Sequence, residues 1–273
     1  MLSHAGSAGP RAPRCRPLKT VVCVKQVAVL GDEVEFTEDE RDVDPDYLER
    51  ALNEWDVSAV EEALRIKESL VDGDGEVVVV TVGDEEATEA LRRCLAMGAD
   101  RAIRVGAQGV DDADPLTVAR GLASVATSEK PDLVLCGVQS SDSVQAATGV
   151  MLAELLDVAR VAVVIKVECE TGSRTARVHR ELEGGLLDVV DVDLPAVLTI
   201  QTGINEPRYA TLRAIKQANL QEIEVVDLDR EQPPAYRVRR MYVPERGEGA
   251  ELLGDDAAGV AGRIAEIVKG RLS

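Results

Sequence analysis

The sequence predicts an α/β protein in which a parallel sheet is extended by further strands and followed by a C-terminal arm. Three observations support this fold class. β-branched runs alternate with helical patterns in the first half of the chain, strand-like segments follow one another after Leu156, and charged, Pro-bearing sequence begins near Leu228. Because hydrophobic residues make up 45% of the chain and aromatics 2%, the core must be built from Val, Ala, Leu and Ile.

The first half of the chain has the order of a parallel sheet with covering helices. Strand-like runs occupy residues 20–27, 76–82, 99–105 and 133–137. Helical patterns separate them, beginning at Asn53 or Asp56 (both N-cap types), at Gly83-Asp84 and at Asp114. Residues 28–52 have no sustained period and predict either a long loop or a short hairpin.

The second half of the chain predicts an antiparallel or mixed addition to the sheet. Strand-like segments occupy residues 160–169, 174–182, 186–193 and 196–202, and a short helix is expected near 212–218. Residues 228–273 have too little apolar surface for a domain and are interpreted as an arm laid on a partner, with a last helix near 255–269. Residues 1–18 are interpreted as a disordered tail or a start placed too early; an organellar presequence is the alternative.

Composition narrows the function classes. The net charge of −19 repels phosphodiester backbones, so nucleic acid is not expected as a partner. No run approaches the ~18–20 apolar residues that a membrane-spanning helix needs. Five scattered cysteines, without a CxxC pair or a signal peptide, indicate reduced thiols and a cytoplasmic location.

The sequence offers little for acid–base or metal chemistry. With His4 and His179 as the two histidines, a His-rich metal site or a Ser-His-Asp triad is nearly excluded. The adjacent Glu61 and Glu62 are expected on the polar side of their helix rather than as a catalytic pair, because neighbouring helical residues diverge. We therefore predict no catalytic residue and no metal site.

The segment GVQSSDSVQAATG, from Gly137 to Gly149, follows a buried strand and opens a helix. Ligands of parallel α/β sheets bind beyond the carboxyl ends of the strands, and the first turn of a helix offers N–H groups to an anion. An adenine nucleotide fits such a site, since small residues permit close backbone approach. On the local pattern alone an ordinary strand-to-helix loop is favoured, because the segment matches neither GxxxxGK[ST] nor GxGxxG.

Five segments in register change that balance. In chain order they are VKQV around Lys25, NEWDVSAVEEALRIKE, LRRCLAMGADRAIRV, the 137–149 segment and HRELEGGLLDVVDVDLPAVLTIQTGINEPRYATLRAIKQA. Together they resemble the beta subunit of electron transfer flavoproteins from Lys19 to about Val226. Any one segment is weak; five in order are specific.

The resemblance implies a Rossmann-like nucleotide-binding domain over residues 19–227, of the adenine nucleotide alpha hydrolase-like type. It implies a heterodimer with a larger alpha subunit that carries the redox-active FAD and on which residues 228–273 pack. It also implies one structural AMP in this chain. The implied contacts are Cys23, Asn53, Glu54, Trp55, Asp56, Val82, Gly137, Val138, Gln139, Ser140, Ser141, Asp142, Ser143, Val144, Gln145, Ala146, Ala147 and Thr148.

YATLRAIK resembles the segment by which the family docks on acyl-CoA dehydrogenases and related partners, with Tyr209, Leu212 and Lys216 as docking residues. Leu212 would be an exposed apolar anchor, whereas on pattern alone it would pack inside. Electrons would pass through the partner's FAD to a membrane quinone oxidoreductase. The chain would thus be an electron-carrier subunit and not an enzyme by itself.

Two alternatives stay open at this point. In electron-bifurcating relatives a second FAD replaces AMP and oxidises NADH, although Thr148-Gly149 is more typical of the AMP type. A stand-alone, universal-stress-like nucleotide binder belongs to a different class, but its GxxGxxxxGS loop is absent from the sequence. The chain also departs from the family pattern at Glu54-Trp55, at Ala147 and near Leu30, where an aromatic facing the flavin is common.

Overall fold

The computed structural model describes residues 17–31, 33–106, 114–170, 172–228, 238–244, 249–250, 252–254 and 256–272. Within them the strands are β1 (Leu18–Cys23), β2 (Gln26–Leu30), β3 (Leu48–Leu52), β4 (Gly75–Gly83), β5 (Arg101–Gly106), β6 (Leu133–Gly137), β7 (Ala159–Cys169), β8 (Thr175–Glu181), β9 (Leu187–Asp193), β10 (Ala196–Ile200) and β11 (Glu224–Asp227). The α-helices are α1 (Glu54–Ser69), α2 (Thr88–Met97), α3 (Pro115–Glu129), α4 (Thr148–Leu156), α5 (Leu212–Ala218) and α6 (Ala257–Leu272).

Nine of these strands form one sheet in the order β11-β5-β4-β1-β6-β10-β7-β8-β9. β1 pairs in parallel with β4 on one side and with β6 on the other. The chain proceeds outward from β1 to β4 and β5, and then returns across the sheet through α3 to β6. The strand order therefore reverses at β1, and a ligand crevice is expected at the carboxyl end of such a strand.

Alternation along the strands divides the core between the two faces of the sheet. Val22 and Val79 point into the cluster that includes α1 and α2, whereas Val21 and Val78 point into the cluster that includes α3 and α4. All four valines are at most 1% exposed. Strands covered on both faces need continuous apolar runs, which explains the unbroken valines of β4.

The far side of the sheet is mixed, as expected. β7 pairs in parallel with β10, and β8 and β9 then add antiparallel strands, so that β9 forms an edge. The α/β class, the central parallel strands and this addition are confirmed. β11 was not anticipated; it pairs in parallel with β5 at the opposite edge.

Between β1 and α1 the chain forms a hairpin, which resolves the choice left open for residues 28–52. β2 and β3 pair antiparallel, with Gln26 opposite Leu52 and Leu30 opposite Leu48. The hairpin returns the chain to Asn53, directly beside the end of β1. α1 consequently begins next to the sheet's switch point.

The predicted tail of residues 1–18 lies outside the described residues except at its end, where Leu18 is the first residue of β1. α6 has no buried residue. No helix in the described part of the chain is long and apolar enough to cross a membrane. The division of the chain at residue 227, where β11 ends, stays a prediction.

Candidate nucleotide site

The predicted nucleotide contacts meet at the carboxyl ends of three neighbouring strands. Cys23 ends β1, Val82 is the penultimate residue of β4, and Gly137 ends β6. Because β4, β1 and β6 are adjacent and parallel, their ends lie side by side at the switch point. The segment after Gly137 and the start of α1 complete the crevice.

Asn53 ties the start of α1 to the segment that follows β6. Its Nδ2 donates to the Gln139 carbonyl oxygen at 2.8 Å, and its Oδ1 accepts from the Ser141 N–H at 3.3 Å. Asn53 occupies the N-cap position but makes no side-chain cap hydrogen bond. Its amide therefore holds the neighbouring segment rather than its own helix.

Asp56 joins the ends of β1 and β6. Its Oδ2 accepts from the Lys25 N–H at 2.8 Å, and its Oδ1 accepts from the Gly137 N–H at 2.9 Å. Asp56 is 5% exposed, and burial raises its pKa to about 7, although the two N–H donors oppose that rise. The buried carboxyl thus fixes the spacing of two strand ends.

Asp142 is engaged within the protein. Its Oδ1 accepts from Lys25 Nζ at 2.7 Å and from Ser140 Oγ at 2.6 Å, and Ser140 Oγ lies 2.8 Å from Ser143 Oγ. Burial alone would raise the pKa of Asp142, but hydrogen bonds from Lys25 and Ser140 hold that pKa below its ordinary value. These contacts fold the segment over the end of β1.

The backbone before α4 turns twice through the left-handed region, at Val144 (φ 52°) and at Ala146 (φ 51°). α4 then begins at Thr148, with no acidic residue in its first turn and no side-chain cap at Ala147. Its first N–H groups are thus available to an anion. Residues 141–146 are exposed, so a ligand has access to this turn.

Two glycines explain how the segment approaches the sheet. A Cβ added at Gly137 would lie 2.6 Å from Asp56 Oδ1, and one at Gly149 would lie 2.5 Å from Cys136 Sγ and 2.8 Å from Thr199 Cγ2. No side chain fits at such distances. Gly137 therefore permits the close contact with α1, and Gly149 permits α4 to lie directly on β6 and β10.

Trp55 and Glu54 take different places in the first turn of α1. Trp55 is half-buried, and its indole Nε1 donates to Gln201 Oε1 at 2.9 Å, whereas Glu54 is exposed. Trp55 thus connects the start of α1 to the segment that follows β10. Its expected contact with a nucleotide stays a prediction.

The cysteines in the described residues are free thiols. Cys23 and Cys136 are buried on adjacent strands, and burial raises the pKa of Cys136 to about 12. They behave as small apolar side chains at neutral pH. Cys15 lies outside the described residues. No cluster of metal-ligating side chains was found in the part of the chain that the structure describes.

Of the predicted docking residues, Tyr209 lies just before α5, and Leu212 and Lys216 lie within it. Tyr209 is 96% exposed and Leu212 is 80% exposed, so Leu212 does not pack inside. Lys216 is also exposed, in the last turn of α5. The hydroxyl of Thr211 accepts from the Ala214 N–H at 3.2 Å and caps this short helix.

One expectation about α1 is wrong. Glu61 and Glu62 are 3% and 7% exposed, and they do not form a solvated polar side. Glu61 accepts from Arg208, and Glu62 accepts from Asn205. The helical pattern alone cannot reveal these partners, which lie in the segment after β10; NEPR, the sequence that contains both, was the available signal.

A parallel sheet with a switch point, and a small-residue segment that leads from a strand to a helix there, define an α/β protein with a candidate ligand crevice at the carboxyl ends of its strands. Comparison with known proteins makes the assignment specific. A family model described as the electron transfer flavoprotein domain matches residues 43–231. The chain belongs to the electron transfer flavoprotein family.

Relatives along most of the chain are beta subunits. The chain is 47% identical to the electron transfer flavoprotein subunit beta of Methylophilus methylotrophus over 247 residues, which cover 87% of this chain and 93% of that protein. It is 40% identical to the subunit of the same name from Mus musculus over 212 residues, 77% of this chain and 81% of that protein. The resemblance read from the sequence is thereby confirmed. The chain is a beta subunit of the electron transfer flavoprotein family.

Proposed function

We propose that this chain binds one adenine nucleotide, AMP, at the switch point of its sheet and pairs with an alpha subunit that holds FAD. The observation that carries the proposal is the construction of the crevice. Asn53 and Asp56 fasten the segment after β6 to the start of α1, beside the ends of β1 and β4. The first turn of α4 opens into the same place.

The residues fit a nucleotide monophosphate. The N–H groups of the first turn of α4, together with the hydroxyl of Thr148, suit the phosphate. Gly137 and Gly149 let the segment and α4 pack closely on α1 and the sheet, which brings the first turn of α4 to the strand ends. Asp142 is held by Lys25, so that its charge is partly balanced before any anion arrives. AMP has no redox-active group, so the role proposed for it here is structural.

Electron transfer requires FAD, which supplies the redox chemistry when it is bound with the alpha subunit. This chain contributes a rigid wall and a partner surface. α6, which has no buried residue, supports an arm, residues 228–273, that packs on the alpha subunit. The free buried thiols agree with a cytoplasmic setting.

The exposed Leu212 supports docking on dehydrogenases, with acyl-CoA dehydrogenases as the first class to test. A strongly exposed leucine at the start of a short helix is suited to fill a pocket in a transient interface. Electrons then leave the carrier for a membrane quinone oxidoreductase. The subunit itself performs no bond chemistry in this scheme.

The test is to co-express the chain with its alpha subunit, purify the heterodimer and quantify the nucleotides that denaturation releases. One FAD and one AMP per heterodimer is the expected result. Two FAD and no AMP would instead support an electron-bifurcating complex that oxidises NADH. Stable, nucleotide-loaded monomers of this chain would support a stand-alone binder, and a heterodimer without AMP or second FAD would refute the nucleotide site.

A further inference from the structure

Arg208 forms hydrogen-bonded ion pairs with two carboxylates of α1, those of Glu61 and Glu68. Its Nε donates to Glu61 Oε2 at 2.8 Å and its Nη2 to Glu61 Oε1 at 3.1 Å. Towards Glu68, Nη1 donates to Oε1 at 2.6 Å and Nη2 to Oε2 at 3.0 Å. The backbone N–H of Arg208 also donates to Glu61 Oε2, at 3.1 Å. Side chain and backbone of one residue are thus fixed to the same helix.

The burial of these groups makes the contact specific. The Glu61 side chain is 4% exposed and that of Arg208 is 34% exposed, whereas Glu68 is 58% exposed. A charge-assisted, two-pronged guanidinium–carboxylate contact fixes geometry as well as energy. A lysine at this position has neither the planar fork nor the reach to engage both carboxylates.

The residues just before Arg208 are also fastened to α1. Asn205 Nδ2 donates to the Ser58 carbonyl oxygen at 3.0 Å and to Glu62 Oε2 at 2.9 Å. The fastening ends at Arg208, because the next residue, Tyr209, is 96% exposed. Leu212, the first residue of α5, follows Arg208 by four positions.

We propose that Arg208 is a positioning residue for the docking segment, held by Glu61 and Glu68 so that Leu212 is presented to a dehydrogenase in one geometry. This inference rests on the proposed docking function. A partner pocket that accepts one leucine requires that leucine at a defined position. If the segment carrying Leu212 is not held in place, it must be ordered on binding, and this ordering reduces the affinity. In this proposal the Arg208 guanidinium affects partner binding through the position of Leu212 and has no direct contact with substrate or flavin.

The experiment uses the FAD-loaded heterodimer as electron acceptor of an acyl-CoA dehydrogenase that reduces the wild-type heterodimer with saturable kinetics. Four heterodimers are compared with wild type: Arg208→Gln, Leu212→Ala, the double variant, and Arg177→Gln as control. Arg177 forms a comparable two-pronged contact with Asp191, at 2.8 and 3.0 Å, but on the exposed β8–β9 sheet. FAD content is measured for each.

We expect Arg208→Gln to raise the KM for the heterodimer about tenfold, with kcat and FAD content unchanged and Arg177→Gln like wild type. Because Arg208 acts through Leu212, the double variant should be no worse than Leu212→Ala alone, which is the signature of coupled residues. Arg208→Lys should recover little of the loss. Additive effects of the two substitutions, or a fall in kcat together with FAD content, would overturn the inference.

Failure of the inference is distinguishable from failure of docking itself. If Leu212→Ala leaves KM unchanged, the proposed docking function fails. If Leu212→Ala raises KM but Arg208→Gln does not, the positioning role alone fails. Should Arg208→Gln not assemble with its partner, Arg208→Lys replaces it, since lysine keeps a positive charge beside the buried Glu61 but lacks the planar fork; a KM equal to wild type in that variant would also refute the inference.

Discussion

Asp56 Oδ1 accepts the backbone N–H of Gly137 at 2.9 Å, which joins the first turn of α1 to the end of β6 across 81 positions of sequence. Its other oxygen accepts the N–H of Lys25, just beyond β1. One buried carboxyl therefore sets how far apart two strand ends lie at the proposed nucleotide crevice.

Gly137→Ala should destabilise the fold. The added methyl group would lie 2.6 Å from Asp56 Oδ1 and would press on Trp55, so the strand end and the helix must separate. Overpacking of this kind costs about 1–3 kcal/mol of the free energy of unfolding. Chemical denaturation measures the loss. Gly262→Ala on α6 is the matched control, because nothing lies within 4 Å of its added methyl group; equal stability of both variants would contradict the prediction.

The stability contribution of Asp56 should depend on pH. Its pKa is about 7 in the folded protein, against 3.8 for an unperturbed aspartate. Between these values the folded protein retains a proton that the unfolded chain has released, so stability falls as the pH rises through that window, by about 1.4 kcal/mol per unit. Below the lower value the contribution is fully present.

Asp56→Asn tests this sign, because asparagine does not titrate. The variant loses one of the two N–H acceptors and should be less stable than wild type in acid. Its deficit should shrink as the pH rises to about 7, since the wild-type protein then bears the cost of a buried charge. Denaturation midpoints of both proteins across this range provide the measurement. Parallel curves would show that Asp56 is not the group that titrates.

Asn53→Ala should weaken nucleotide binding while leaving the fold intact. The substitution removes the contacts to Gln139 and Ser141 that hold the segment over the crevice. With the segment less ordered, we expect the affinity of the heterodimer for AMP to fall about tenfold. Calorimetric titration of the nucleotide-depleted heterodimer measures it. Thr37→Ala, which loosens the unrelated turn at Asp39 and Asp42, should bind AMP like wild type.

The sequence predicted those parts of this structure that depend on neighbours in the chain. The valine runs of β1 and β4 indicated strands covered on both faces. The family resemblance named Cys23, Val82 and Gly137, and the structure places all three at the carboxyl ends of adjacent parallel strands. That a nucleotide binds there stays a prediction.

Contacts between distant residues escaped prediction. The sequence pattern predicts Asp56 as a possible N-cap. It does not reveal that the carboxylate accepts the N–H groups of Lys25 and Gly137, which lie 31 and 81 positions away. Glu61 was expected on a polar face, because its partner Arg208 lies 147 positions further along the chain. Helical periodicity reports the local face of a side chain and cannot report a cation that another segment of the chain supplies to it.

Leu212→Ala should slow electron transfer into the heterodimer without loss of FAD. Leu212 is 80% exposed and contributes nothing to the core, so its truncation should leave the free energy of unfolding within about 0.5 kcal/mol of wild type. An anchor that fills a partner's pocket is worth about 2 kcal/mol or more, which corresponds to a rise of at least tenfold in the dehydrogenase's KM for the heterodimer. Stopped-flow flavin reduction at increasing dehydrogenase concentration separates affinity from rate.

The matched control for Leu212 is Val71→Ala. Val71 is 67% exposed and precedes β4, so it lies at the amino ends of the strands, whereas the docking segment follows the carboxyl end of β10. Loss of an exposed apolar side chain there should leave reduction kinetics unchanged. If both variants slow reduction equally, exposed apolar area in general, and not Leu212 as an anchor, governs the encounter. A selective effect of Leu212→Ala assigns docking to the segment that Arg208 holds.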